Sequence, residues 1–90
     1  MSFKLTIIMP AFNEEATIES IVRKLIKYND VYQLIVVNDA STDHTPEILK
    51  SLAEEFHFIE VINQLNNSGK TAALKLGFSA ISGDVVVIQD

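Results

Sequence analysis

Ninety residues, 48% of them hydrophobic, make one small domain with enough apolar content for a core. A net charge of −5 with no basic stripe argues against nucleic acid and against an anionic membrane surface as partners. The absence of cysteine removes disulfides and thiolate zinc sites and leaves the cytosol as the default compartment.

Phe3 to Met9 reads as a first strand stopped by Pro10, and its apolar part is too short for a signal peptide or a membrane span. Asn13 reads as the N-cap of a first helix, with Glu14 and Glu15 in the turn where the helix dipole favours negative charge. Ile18, Ile21, Val22, Leu25 and Ile26 recur at the spacing of one helical face, and Asn29-Asp30 ends the helix. Tyr32 to Asn38 is a second strand. Thr45 reads as the cap of a second helix, with Pro46 at its first position and Ile48, Leu49, Leu52, Ala53 and Phe56 on its apolar face. Phe58 to Asn63 is a third strand, Lys70 to Ser82 a third helix with Gly83 as its left-handed cap, and Val85 to Ile88 a fourth strand. The order βαβαβαβ predicts an α/β fold with a parallel sheet and right-handed crossovers. Strands two and four read as solid apolar runs, as strands covered on both faces do.

The unusual polar residues gather where strands end: Asn13 and Glu14, Asn38 to Asp43, Asn66 to Lys70, and Asp90. Ligands of open α/β sheets bind at that edge, so the clustering predicts a pocket, with Asp39 at its centre. Familiar fingerprints are missing. Strand one is followed by Pro10-Ala11-Phe12-Asn13, which excludes the glycine-rich dinucleotide motif. Gly69-Lys70-Thr71 lacks the earlier glycine of a P-loop, because Gln64 holds that position. His44 and His57 are isolated and read as surface residues. Ser41, Asp43 and His44 are too close in sequence to assemble a triad. Read as structure alone, Asn13 and Glu14 are a cap and a dipole-matched charge, Asp39 to Asp43 a turn bonded to its own backbone, Phe12 core and Lys70 a solvated lysine.

Four blocks carry a resemblance. Ile7-Ile8-Met9-Pro10-Ala11-Phe12-Asn13-Glu14-Glu15 resembles the opening of inverting family 2 glycosyltransferases of the GT-A fold. Val36 to Asp43 is similar to their V-V-D-D-G-S-T-D block, Asn67 to Leu74 to N-x-G-K-x-x-A-L, and Gly83 to Asp90 to the strand entering the D-x-D metal motif. The texture is nearest to polyprenyl (dolichyl) phosphate sugar transferases. The resemblance implies a Rossmann-like N-terminal half of a GT-A fold with strand order 3-2-1-4, and residues 1–90 as its nucleotide-sugar-binding part, ending at the first acid of D-x-D. It implies a donor of the GDP-mannose or UDP-glucose type and an acceptor such as a polyprenyl phosphate, at the cytoplasmic face of the membrane. Pro10, Ala11, Phe12, Glu14, Asp39, Gly69, Lys70 and Asp90 would surround the nucleotide, with Asp90 also on a Mg²⁺ or Mn²⁺ ion. Such an ion would supply the positive charge that this acidic chain lacks for a diphosphate. Two positions depart from the pattern, Asn38 for aspartate and Ala40 for glycine. The catalytic base is expected beyond Asp90, so the ninety residues alone are expected to be inactive. Strand four, an edge without proline or lysine, is expected to pair with a second copy. A stand-alone nucleotide-binding module is the other reading.

Overall fold

The computed structural model describes residues 4–64 and the strand 84–87. The predicted third helix, its Gly83 cap and the site residues Gly69, Lys70 and Asp90 lie outside the described residues. The elements are β1 (Leu5–Ala11), α1 (Ile18–Tyr28), β2 (Val31–Asp39), α2 (Thr45–Glu55), β3 (Ile59–Gln64) and β4 (Asp84–Val87). The strands form one sheet in the order β3-β2-β1-β4, and every pairing is parallel.

Alternation along the strands sorts side chains onto two faces. Ile7, Met9 and Ala11 of β1, Leu34 and Val36 of β2, and Ile59 of β3 pack against Ile18 and Val22 of α1 and Leu49 and Leu52 of α2. Ile8, Ile35 and Val37 form a second buried cluster, with Ile62 beside it. Both buried sets are essentially inaccessible, which is why β2 reads as an unbroken apolar run rather than as an alternating one.

β1 does not stop at Pro10. Pro10 is buried and aligned with Val37, and the strand runs on to Ala11 beside Asn38. Proline's fixed φ suits extended backbone, and what it removes is one N–H. The helix starts also differ from expectation. α1 begins at Ile18, with Thr17 before it making no side-chain cap. The Glu14 carbonyl accepts the N–H groups of Thr17 (3.1 Å) and Ile18 (2.8 Å), so the backbone of Glu14 opens the helix. Asn13, at φ 50°, lies outside it. In α2, Thr45 is the first helical residue rather than the cap. His44 is the N-cap and makes no side-chain cap bond; ahead of it, Asp43 Oδ1 accepts the Thr45 N–H at 2.9 Å.

Helix ends follow local chemistry. Asn29 turns extended after α1, and its Nδ2 donates to the Leu25 carbonyl at 3.0 Å. Phe56 ends α2 in the same manner, its N–H on the Leu52 carbonyl. Across the helix pair, Arg23 makes a two-pronged contact to Glu55 (2.9 and 2.7 Å), reaches Glu19 at 2.9 Å and lies over the Phe56 ring. The Arg23 guanidinium holds the Glu55 carboxyl below the usual carboxylate range, more than offsetting the opposing effect of partial desolvation.

Candidate functional site

The carboxyl edge of the sheet brings together Ala11, Asp39 and Gln64, the last residues of three adjacent strands. Asn38 is aligned with both Ala11 and Asn63, and Asp39 with Gln64. Two loops rise from this edge. Phe12 to Thr17 leads from β1 into α1, and Ala40 to His44 leads from β2 into α2.

Four backbone-to-side-chain hydrogen bonds, between residues 28 to 31 apart in sequence, tie the first loop to the second loop and the start of α2. The Asn13 N–H donates to Ser41 Oγ (3.0 Å), and the Thr42 N–H donates to Asn13 Oδ1 (2.7 Å). The Glu14 N–H donates to the buried Thr45 Oγ1 (2.9 Å). The Glu15 N–H donates to Asp43 Oδ2 (3.1 Å), while Oδ1 of the same carboxylate takes Thr45. Desolvation alone would raise the Asp43 carboxyl. The hydrogen bonds it accepts, from the Thr45 hydroxyl and from backbone N–H groups of Thr45 and Glu15, outweigh that and hold it below the ordinary aspartate value.

Two non-glycine residues have left-handed backbone, Asn13 at φ 50° and Ala40 at φ 60°. Asparagine tolerates that region; alanine pays for its Cβ there. Ala40 follows Asp39 directly, so the turn fixes where the Asp39 backbone leaves the sheet. The neighbouring Asn38 is also accounted for. Its Nδ2 donates to Asn63 Oδ1 (2.9 Å) and its Oδ1 accepts the Ser41 N–H (3.2 Å). A carboxylate could serve the second contact but could not donate in the first.

Of the residues picked out from sequence, Asp39 is buried at 5% exposure, and Pro10 lies on the same face of the sheet two positions back along the neighbouring strand. Phe12 presents its ring, 45% exposed, in the first loop. Ala11 packs its methyl group against the helices, so its backbone is what it can offer a ligand. Glu14 is half-buried and tied to α2 through its N–H. Gln64 escaped sequence reasoning except as the residue that excludes a P-loop. It is the register partner of Asp39, and both atoms of its amide are buried without a hydrogen-bond partner among the described residues. Ser41, Thr42, Asp43 and Thr45 were read as a polar turn and helix entry; they are the fastening between two loops. Among the described residues no group of three or more His, Asp or Glu side chains is arranged to hold a metal ion.

Residues 6–90 match the family model described as glycosyl transferase family 2. A probable glycosyltransferase, YdaM, of Bacillus subtilis is 36% identical over 97% of this chain, which spans 22% of that protein. The dolichyl-phosphate beta-glucosyltransferase ALG5A of Trichomonas vaginalis is 30% identical over 99% of the chain, which spans 30% of it. The chain therefore covers less than a third of these relatives. Among solved structures, the mannosyltransferase PcManGT from Pyrobaculum calidifontis, in complex with GDP-Man and Mn²⁺, superposes with a TM-score of 0.85 at 28% identity, covering 99% of this chain and 28% of that one. Glucosyl-3-phosphoglycerate synthase from Mycobacterium tuberculosis, in complex with UDP, superposes with a TM-score of 0.78 at 32% identity, covering 98% of this chain and 34% of that one. With the family model spanning nearly its whole length and a loop-walled edge centred on Asp39, this chain belongs to glycosyl transferase family 2.

Proposed function

We propose that the chain is the donor-nucleotide part of an inverting glycosyltransferase that moves a sugar from a nucleoside-diphosphate sugar to an acceptor such as a polyprenyl phosphate. The observation that carries this reading is the buried Asp39 at the carboxyl end of β2, with the fastened loops beside it. A carboxylate there can accept a hydrogen bond from a base, and the exposed Phe12 ring of the first loop offers a stacking surface. The relatives named for dolichyl phosphate support the acceptor class, and the neighbours bound to GDP-Man and to UDP support the donor class.

In this reading Pro10, Ala11, Phe12 and Glu14 line the base and ribose, and Gly69 and Lys70 border the nucleotide. A divalent ion, Mg²⁺ or Mn²⁺, is assigned to Asp90 by its resemblance to the first acid of D-x-D. When bound, such an ion supplies positive charge to a departing diphosphate. The catalytic base is not assigned to any carboxylate of this chain.

The test is calorimetry with GDP and UDP in the presence of Mn²⁺, on the wild type and on Asp39→Ala. Loss of a hydrogen bond to a charged acceptor is expected to weaken nucleotide binding roughly tenfold to a hundredfold. Nucleotide binding indifferent to the substitution removes Asp39 from the site, and with it this reading.

A further inference from the structure

We infer that Asn13 is a positioning residue for nucleobase stacking: it clamps the backbone that carries the Phe12 ring to the loop after β2. The inference rests on the donor-nucleotide reading above. Phe12 is a single residue between two fixed points. Before it, Ala11 ends β1 in register with Asn38. After it, Asn13 is bonded to the second loop through both its backbone and its side chain. The Asn13 N–H donates to Ser41 Oγ (3.0 Å), and Asn13 Oδ1 accepts the Thr42 N–H (2.7 Å) and the Thr42 hydroxyl (3.4 Å). Both ends of the Phe12 backbone are therefore held, to Asn38 on one side and to Ser41 and Thr42 on the other.

The backbone at the clamp is unusual. Asn13 has φ 50°, and Ala40, just ahead of its two partners, has φ 60°. Left-handed backbone is uncommon outside glycine, and such residues gather at ligand sites. Asparagine tolerates the region and brings an oxygen that can accept from Thr42; glycine would take the angle without the oxygen. The ring that this clamp holds is 45% exposed, unlike the apolar side chains of the two cores. Holding an exposed ring still adds nothing to burial and costs conformational entropy. It strengthens binding instead, because a group ordered beforehand has less freedom to lose when a ligand arrives.

Stacking uses only the flat face of a base, so the clamp acts alike on a purine and a pyrimidine nucleotide. Asn13 is itself exposed and lies outside α1, so its substitutions leave the buried core intact and the variants are expected to fold, which their urea transitions check. The chain has no tryptophan, so Phe12→Trp places a single indole at the ring position. The motion of that indole reports on the clamp without any nucleotide.

Calorimetry of the ninety-residue chain with GDP and with UDP, each with Mn²⁺, tests the inference on wild type, Phe12→Ala, Asn13→Gly, Asn13→Asp and the double variant Phe12→Ala with Asn13→Gly. Phe12→Ala is expected to weaken both nucleotides roughly tenfold. Asn13→Gly keeps the backbone angle and the bond to Ser41 but loses the acceptor for Thr42, and is expected to weaken both roughly threefold to tenfold. Asn13→Asp keeps that acceptor and is expected to bind within about twofold of wild type. In the Phe12→Ala background, Asn13→Gly is expected to change affinity by less than about twofold, because the ring it positions is gone. Time-resolved fluorescence anisotropy of Phe12→Trp is expected to show a more mobile indole once Asn13→Gly is added. Binding that ignores Phe12 or Asn13, a loss from Asn13→Gly that persists in full without the ring, or an indole whose motion ignores Asn13→Gly overturns the positioning role while leaving the dependence on Asp39 intact. Binding that ignores Asp39 as well, or no binding of either nucleotide, overturns the donor-site reading and this inference with it.

Discussion

Ala40→Gly is a substitution whose expected sign is opposite to the usual one. In an ordinary position, alanine to glycine destabilises by about 0.5–1 kcal/mol, because the unfolded chain gains freedom that folding must then remove. Ala40 has φ 60°, where the Cβ of an L-residue crowds the following carbonyl at about 1–2 kcal/mol. Glycine relieves that crowding. The two effects oppose each other, and their difference is a net stabilisation of about 0–1.5 kcal/mol. For a domain of this size, 1 kcal/mol moves the thermal midpoint by about 4–8 °C, so a rise of a few degrees is measurable. Urea denaturation with linear extrapolation, followed by circular dichroism, gives the free energy directly. Ala40→Val supplies the contrast: a β-branched side chain in left-handed backbone is expected to destabilise by more than 1 kcal/mol, about the scale of a strained residue. If Ala40→Gly lowers stability by the ordinary glycine amount while Ala40→Val is harmless, the turn after Asp39 is not left-handed, and the argument that it orients Asp39 fails.

Thr45→Val keeps the shape of a fully buried side chain but removes the oxygen that accepts the Glu14 N–H, and is expected to destabilise by about 1–3 kcal/mol in the same urea experiment. Leu34→Ala, in the centre of the helix-covered face, is expected to destabilise by about 2–5 kcal/mol, far more than Tyr28→Ala at an exposed position. Asp43 has its carboxyl held below the aspartate value of 3.8, so its contribution is fully present above that pH and is lost as pH falls through the lower, folded-state value. Acid titration of stability should therefore steepen below about pH 4, and Asp43→Asn should flatten part of that limb. Glu55, depressed by Arg23, adds to the same limb, so Glu55→Gln should flatten a separate share of it.

Strand positions were legible because burial on both faces leaves a plain signature. Ile7 to Met9 and Leu34 to Val37 carry no polar side chain to interrupt them, and the sheet buries all of them. The place of Asp39 at the carboxyl end of β2 was legible for a related reason, since it is the first acid after such a run. The helix starts were misjudged because Asn13 and Thr45 have the side chains of caps but spend them elsewhere. Their partners lie 28 to 31 residues away in sequence, and local periodicity carries no record of contacts between two loops. Asp43, two residues ahead of α2, takes the Thr45 N–H, a contact that threonine followed by proline does not announce in the sequence. The alignment of Gln64 with Asp39 left no trace in the sequence pattern, because register across two strands is not written in either one alone.

That register also sorts the side chains of this short edge onto two faces. Ala11, Asn38 and Asn63 alternate onto the face covered by α1 and α2, and they serve the protein: a methyl group in the core and an amide pair bonded to each other. Pro10, Asp39 and Gln64, one position away on the same three strands, alternate onto the other face. A shift of a single residue in β2 would put a carboxylate under the helices and asparagine on the opposite face. The bonds from Ser41, Thr42, Asp43 and Thr45 to the first loop oppose such a shift, because each joins the residues that follow β2 to those that follow β1. The polar residues of the V-N-D-A-S-T-D segment thus divide their work: Asp39 takes the face opposite α1 and α2, and the residues after it keep β1 and β2 in the register that puts it there.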